Sequence, residues 1–361
     1  MRKLVLLTSL MLLIVSLGVV SAQEDTLTVL CTPQIEWCEA MRDAFQAETG
    51  IETSFVRMSS GESLARIRAT ADDPEFSVWW GGPADAFIAA SGEGLLEPYE
   101  SPNAAMIADD QRDSEDFFWT GVYVGALGFC SNIEILDELG VDPPTSWDDL
   151  LNPALEANVA VAHPATSGTS FTAFWTVVTL RADELEAEEE GTGYDEDGAP
   201  TEAAVDNAFD YFAELNNNIL QYTRSGSAPG RMAGAGEVAV AIIFSHDCVA
   251  LQVQGFEDIL TVSFAEEGTG FEIAGMGIIK DGPEPENARA WYDWALTADA
   301  QALGVGANAF QIPTNPDTPL PELAVNLDDV NLVDYNFDAA GANRTAIAER
   351  FDEDIATTPT E

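Results

Sequence analysis

The chain has 361 residues, with 63 aspartates and glutamates against 14 lysines and arginines and a formal net charge of −49 at pH 7. So acidic a surface repels nucleic acid and anionic membranes, which excludes both as expected partners. With two histidines and four cysteines but no CxxC pair, a histidine-rich or zinc-ribbon metal centre is not expected, and no cofactor is called for.

In chain order, Arg2 and Lys3 precede an apolar run from Leu4 to Val20, and Val20-Ser21-Ala22 supplies the small residues a signal peptidase reads. This predicts a signal peptide over 1–22, a mature chain from Gln23 and a periplasmic or extracellular location. Cleavage takes the net charge from −49 to −51 and leaves room for two domains. Strand-like Thr26 to Cys31, helix-like Glu36 to Glu48, strand-like Ile51 to Val56 and helix-like Glu62 to Thr70 follow. Phe76 to Trp80 and Pro83 to Ser91 complete a βαβαβα series, the pattern of a mostly parallel sheet covered by helices. Thr120 to Cys130 reads as a crossing strand into a second lobe. Asn158 to Ala162, Val238 to Phe244 and Ile259 to Phe264 are further strands, and Ser170 to Leu180, Ala203 to Leu215 and Ser227 to Ala235 are helices. Glu184 to Glu202 reads as a solvated acidic insertion, since its DEDG lacks the alternating ligands of a calcium loop. Glu272 to Lys280 is a second crossing strand, and the helix Pro285 to Leu296 packs Trp291, Tyr292 and Trp294 into the first core. The expected fold class is α/β with two lobes, a central cleft and two hinge-strand crossings: 23–120 with 270–310 form lobe 1, and 121–269 with 311–361 form lobe 2.

Two hydroxyl-and-glycine turns stand between a strand and a helix: Ser59-Ser60-Gly61-Glu62 and Ser167-Gly168-Thr169-Ser170. At a helix start such a turn presents unpaired N–H groups and the positive end of the helix dipole, which suits a phosphate or carboxylate. Ser59 with Glu62 also fits a capping box, which binds nothing by itself. Arg57, just before the first turn, and Arg224 are candidate guanidinium partners for the same anion. His246-Asp247, after a strand, offers acceptors and a switchable donor to sugar hydroxyls. Gln34, Trp80 and Gly81 fall at strand carboxyl ends, where ligands sit in open α/β sheets. In an oxidising compartment the cysteines are expected to pair, Cys31 with Cys38 and Cys130 with Cys248.

Trp37-Cys38-Glu39-Ala40-Met41, Val78-Trp79-Trp80-Gly81-Gly82, Gly125-Ala126-Leu127-Gly128-Phe129, Gln221-Tyr222-Thr223, Glu267 to Glu272 and Tyr292 to Thr297 join these turns in order along nearly the whole mature chain. On these stretches the sequence resembles the type 2 periplasmic solute-binding proteins of ABC importers, in the branch often labelled ferric-iron-binding. More narrowly it resembles the hexose-phosphate-binding receptors of that branch. The resemblance implies that Ser59, Ser60, Ser167, Gly168 and Thr169 hold phosphate, that His246, Asp247 and Glu272 face the sugar, and that an ABC transporter permease is the partner of a monomeric receptor. Cys130 and Cys248 and the longer acidic insertion depart from that pattern. Ferric iron is the first alternative ligand, but the adjacent tyrosines that related iron binders carry are missing, since Thr223 follows Tyr222. A phosphonate or smaller phosphate ester is the second. Catalysis is not expected: there is no GxSxG elbow.

Overall fold

The computed structural model describes residues 25–359, so the expected signal peptide lies outside the described residues. Three βα units open the chain: β1 (Thr26–Cys31), α1 (Ile35–Thr49), β2 (Glu52–Arg57), α2 (Ser60–Ala69), β3 (Val78–Pro83) and α3 (Ala84–Gly92), followed by the short β4 (Leu96–Glu97). In α1 the buried Trp37, Cys38, Met41 and Phe45 recur at helical spacing and face the sheet, and Gly50 ends the helix in the left-handed conformation. β5 (Thr120–Asn132) is buried along its whole length and leads to α4 (Ile133–Leu139). The second lobe adds β6 (Val159–Ala162), α5 (Gly168–Glu188), α6 (Glu202–Leu215), β7 (Ile219–Thr223), α7 (Ala228–Gly234), β8 (Val240–Phe244), α8 (Ser245–Leu251) and β9 (Leu260–Ser263). β10 (Phe271–Ile279), α9 (Pro285–Ala295), α10 (Ala298–Gln301), α11 (Leu303–Gly306), β11 (Ile312–Pro313) and α12 (Phe337–Asp354) complete the chain.

One mixed sheet runs through both lobes in the order β2-β1-β3-β10-β5-β8-β6-β7. β5 makes this continuous. Its first half, to Ala126, pairs with β10, and from Leu127 it pairs instead with β8, while Phe129 to Asn132 also pair with β9. The crossing strand expected from Thr120 is therefore present, and the change of lobe falls in its middle. Around it lie two α/β lobes with separate cores, one built on Trp37, Phe45, Trp291 and Tyr292 and the other on Phe129, Trp147, Phe174 and Phe212.

Three departures from the sequence expectation have physical reasons. α5 runs on to Glu188, so the acidic segment from Glu184 begins as a helix end, and the Glu186 carboxylate accepts the Gly191 and Gly193 amides to turn the chain. β7 escapes an apolar search because Leu220 and Gln221 are exposed. α12 was not foreseen, yet it joins the lobes. Its Ile347 and Phe351 enter the second core, while Arg344 forms a buried ion pair with Asp85 at the start of α3. The Arg344 guanidinium also lies 4.4 Å over the Phe171 ring, and the Tyr335 hydroxyl stands 3.5 Å from the other Asp85 oxygen.

Burial pushes the Asp85 carboxyl above its usual range, and Arg344 opposes that. Replacing Arg344 by Ala leaves an uncompensated buried carboxylate, and the expected cost is about 3–5 kcal/mol in guanidinium denaturation. The double variant Asp85→Leu/Arg344→Met is expected to recover most of it. An Arg344→Ala protein as stable as the wild type would show that the pair does not weld α12 to α3.

Candidate functional site

The loops that follow β1, β2 and β3 in one lobe and β6, β7 and β8 in the other meet around one cleft. The carboxyl ends of parallel strands are where ligand sites form in open α/β sheets. Nine of the sequence-predicted residues line it together: Arg57, Ser59, Ser60, Ser167, Gly168, Thr169, His246, Asp247 and Glu272. The start of α2 and the start of α5 face each other across it. They come so close that a Cβ on Gly168 would overlap the Ser60 hydroxyl. Thr169 and Ser167 bring their hydroxyls beside Gly226 in the loop after β7. Three hydroxyls from two lobes thus share one end of the cleft.

The α2 terminus differs from expectation in one respect. The Gly61 and Glu62 amides are not unpaired: both donate to the Thr166 carbonyl of the opposite lobe, at 3.1 and 3.3 Å. A carbonyl carries partial negative charge and satisfies orphan helix donors as an anion would. Ser59 uses its own amide to close on Glu62 at 3.3 Å, and its hydroxyl makes no hydrogen bond within the protein.

Trp80, Gly81 and Arg224 do not line the cleft. Trp80 is buried in the first core with its ring edge-on to Trp37 at 5.2 Å. Gly81 takes φ +86 and lies against Pro33, shaping the turn that delivers Pro83 to the cleft. Arg224 pairs with Glu62 across the lobes, its Nε donating at 2.9 Å. Sequence reasoning left out Tyr123, Gln311, Thr32, Pro33 and Ser227, and placed Gln34 only at a strand end. Tyr123 had a signal, because it shares a face of β5 with Gly125, two residues on, against which the His246 ring packs. Gln311 sits in a loop with no periodicity.

At the other end of the cleft the Asp247 carboxylate accepts from Gln34 Nε2 at 2.8 Å, a second bond between lobes, and Gln311 Nε2 donates to Gln34 Oε1 at 3.3 Å. His246 Nε2 is 3.8 Å from Glu272 Oε1, but the contact is not an ion pair. Burial lowers the His246 pKa and pushes the Glu272 carboxyl well above its usual range, with Asp247 and Asp85 adding to the rise, so burial disfavours the charged form of each. The buried His246 Nδ1, Ser59 Oγ and Gln311 Oε1 all border this space without a partner in the protein, whereas buried polar groups are normally bonded. Each disulfide fixes one wall, as the sequence predicted. Cys31–Cys38 brackets the Thr32-Pro33-Gln34 loop, and Cys130–Cys248 holds the start of α8, with His246 and Asp247, on β5.

Two outcomes follow from this geometry. A Cβ on Gly61 would overlap the Ala165 carbonyl, a backbone atom of the other lobe that has no room to give. Gly61→Ala is expected to fold but to hold the lobes apart, read as a larger radius of gyration in solution scattering and a loss of ligand affinity; an unchanged radius would oppose it. The second concerns pH. Glu272, raised in the fold, gives stability that is full below the usual carboxylate range and is lost as pH rises through its folded value. His246, lowered by burial, gives stability present above about pH 6.5 and lost as pH falls. Glu272→Gln is therefore expected to flatten the alkaline limb of the melting-temperature profile, less whatever Asp85 contributes, while leaving the acid limb in place. A variant profile parallel to wild type at every pH above the usual carboxylate range would overturn the assignment.

Residues 40–328 match the family described as "Bacterial extracellular solute-binding protein". An uncharacterized protein of Haemophilus influenzae is 32% identical over 336 residues, covering 91% of this chain and 90% of that protein. Among solved structures, the periplasmic binding protein AfuA of Actinobacillus pleuropneumoniae, with exogenous fructose-6-phosphate bound, is 33% identical with a TM-score of 0.81, over 91% of this chain and 98% of that one. The periplasmic binding protein P5PA is 29% identical with a TM-score of 0.78, over 91% and 99%. Iron-bound HitA of Pseudomonas aeruginosa, 16% identical with a TM-score of 0.70 over 90% and 98%, shares the fold. With its two lobes, central cleft and family match over most of its length, the chain belongs to the bacterial extracellular solute-binding proteins and has the type 2 periplasmic-binding fold of ABC importers.

Proposed function

We propose that this protein is a monomeric extracytoplasmic receptor that closes on a hexose phosphate and delivers it, chemically unchanged, to an ABC transporter permease. The observation that carries the reading is the convergence of Ser60, Ser167 and Thr169 at two facing helix starts, with Arg57 beside them, in the same cleft as His246, Asp247 and Glu272. Helix N-termini, hydroxyls and a guanidinium together suit a phosphate monoester. The His246 imidazole with the Glu272 and Asp247 carboxyl groups supplies the polar partners that hydroxyls of a sugar need. The fructose-6-phosphate named for AfuA supports the same ligand class. Iron binding gains no support from the site. Tyr123, the phenol lining the cleft, is pushed well above its usual pKa by burial, and its oxygen accepts the Gly82 amide at 3.4 Å.

In a thermal-shift panel, a hexose phosphate is expected to raise the melting temperature, and neither its parent sugar nor ferric iron is. Stabilisation by ferric iron with no response to any sugar phosphate would overturn the reading. Thr169→Ala or Ser60→Ala deletes a hydroxyl bonded to a charged oxygen, worth about 1.5–3 kcal/mol, so affinity for every phosphorylated ligand should fall roughly ten- to hundredfold in calorimetry. Preference among sugar epimers should survive that change. Asp247→Ala should instead flatten the preference, because it removes an acceptor that reads hydroxyl positions. Equal weakening of sugar phosphates and inorganic phosphate by Asp247→Ala would assign Asp247 to the Gln34 bond between lobes alone.

A further inference from the structure

Among the described residues, every arginine except Arg57 and Arg231 forms an ion pair with a carboxylate. In a chain with 63 acidic residues an arginine without a carboxylate partner is unexpected by chance, and these two lie together. Both line an outer vestibule, bordered also by Gln34, Ser225, Ser227 and Gln254, that opens into the cleft and shares Gln34, Arg57, Ser227 and Asp247 with it. Lys280, the described lysine, stands at the far end of β10, away from the cleft. Arg57 commits only its Nε, to the Pro33 carbonyl at 3.1 Å, leaving the terminal N–H groups of the guanidinium for another partner. Arg231 is exposed on α7.

We propose that Arg231 and Arg57 form an outer docking position for a phosphate monoester dianion, which engages there before passing to the hydroxyls at the two helix starts. The proposal rests on the phosphorylated-ligand reading above. Its physical basis is the global charge: a dianion approaching a molecule of net charge −49 is repelled over most of the surface, so a local pair of uncommitted guanidinium groups decides where it lands. Glu36 and Asp247 also border the vestibule, and Asp247, followed by Glu62, lies within electrostatic reach of Arg57. Glu62 is held by Arg224 and Asp247 by Gln34, which leaves the two free forks as its outward-facing donors. Guanidinium forks bind phosphate bidentately, so the vestibule provides orientation as well as charge. Arg57 serves both spaces; Arg231 belongs to the outer one alone.

The test is stopped-flow association of the full protein with glucose 6-phosphate and fructose 6-phosphate across a range of salt. Arg231→Gln is expected to lower the association rate constant about threefold at low ionic strength, and Arg231→Glu about tenfold. Dissociation rates should stay as in wild type, and the difference should fade by about 0.5 M salt as screening shortens the field. An unchanged melting temperature checks that the exposed substitution leaves the fold alone. Association rates equal to wild type at low salt, or a loss found only in dissociation, would overturn the docking position while leaving the phosphorylated-ligand reading intact. Wild-type protein that binds neither sugar phosphate overturns both.

Discussion

Two helix ends of the same electrostatic sign face each other across one cleft, and closing the lobes requires something negative between them. The N-termini of α2 and α5 each carry roughly half a positive charge and several amides that the helix itself cannot satisfy. The Thr166 carbonyl meets part of that demand by taking the Gly61 and Glu62 amides. The hydroxyls of Ser60, Ser167 and Thr169 stand where the remainder is presented. Fold and recognition therefore share one origin: the strands that feed these helices, β2 and β6, belong to the one sheet that β5 carries through both lobes.

The bonds that join the lobes around the cleft are few and of different kinds. Gln34 reaches Asp247, Arg224 reaches Glu62 and α2 amides reach Thr166, while Asp85 and Arg344 bind α3 to α12. Gln34 and Asp247 line the space a ligand would occupy, so a ligand that displaces or complements their bond changes the balance between open and closed lobes. The Asp85–Arg344 pair is buried and fixes α12 on α3.

Much of this was legible in the sequence because hydrophobic period and turn chemistry agreed. The βα alternation placed the strand ends, and the two Ser-Gly turns identified the helix starts, since hydroxyl and glycine residues at those positions have a local meaning. What the sequence did not reveal depended on partners far away in the chain. Nothing near Gly61 announces that a carbonyl from residue 166 will take its amide, and nothing near Arg224 announces Glu62. Trp80 fell at a strand end, where ligands are found, but its side chain belongs to the face of β3 that meets Trp37. β7 and α12 were missed because partial exposure blurs the apolar period that reveals β1 or β8. Gln311 lies in an irregular loop, visible only once β11 sets that segment against β5.

The two disulfides sit at equivalent points of the two walls, each one step from the loop or helix start that meets the ligand space. One closes a loop of a few residues, and the other links positions separated by 118 residues. The pinning of both walls is thus tied to the redox state of the surroundings, because disulfides persist in an oxidising compartment and are rare in a reducing cytosol.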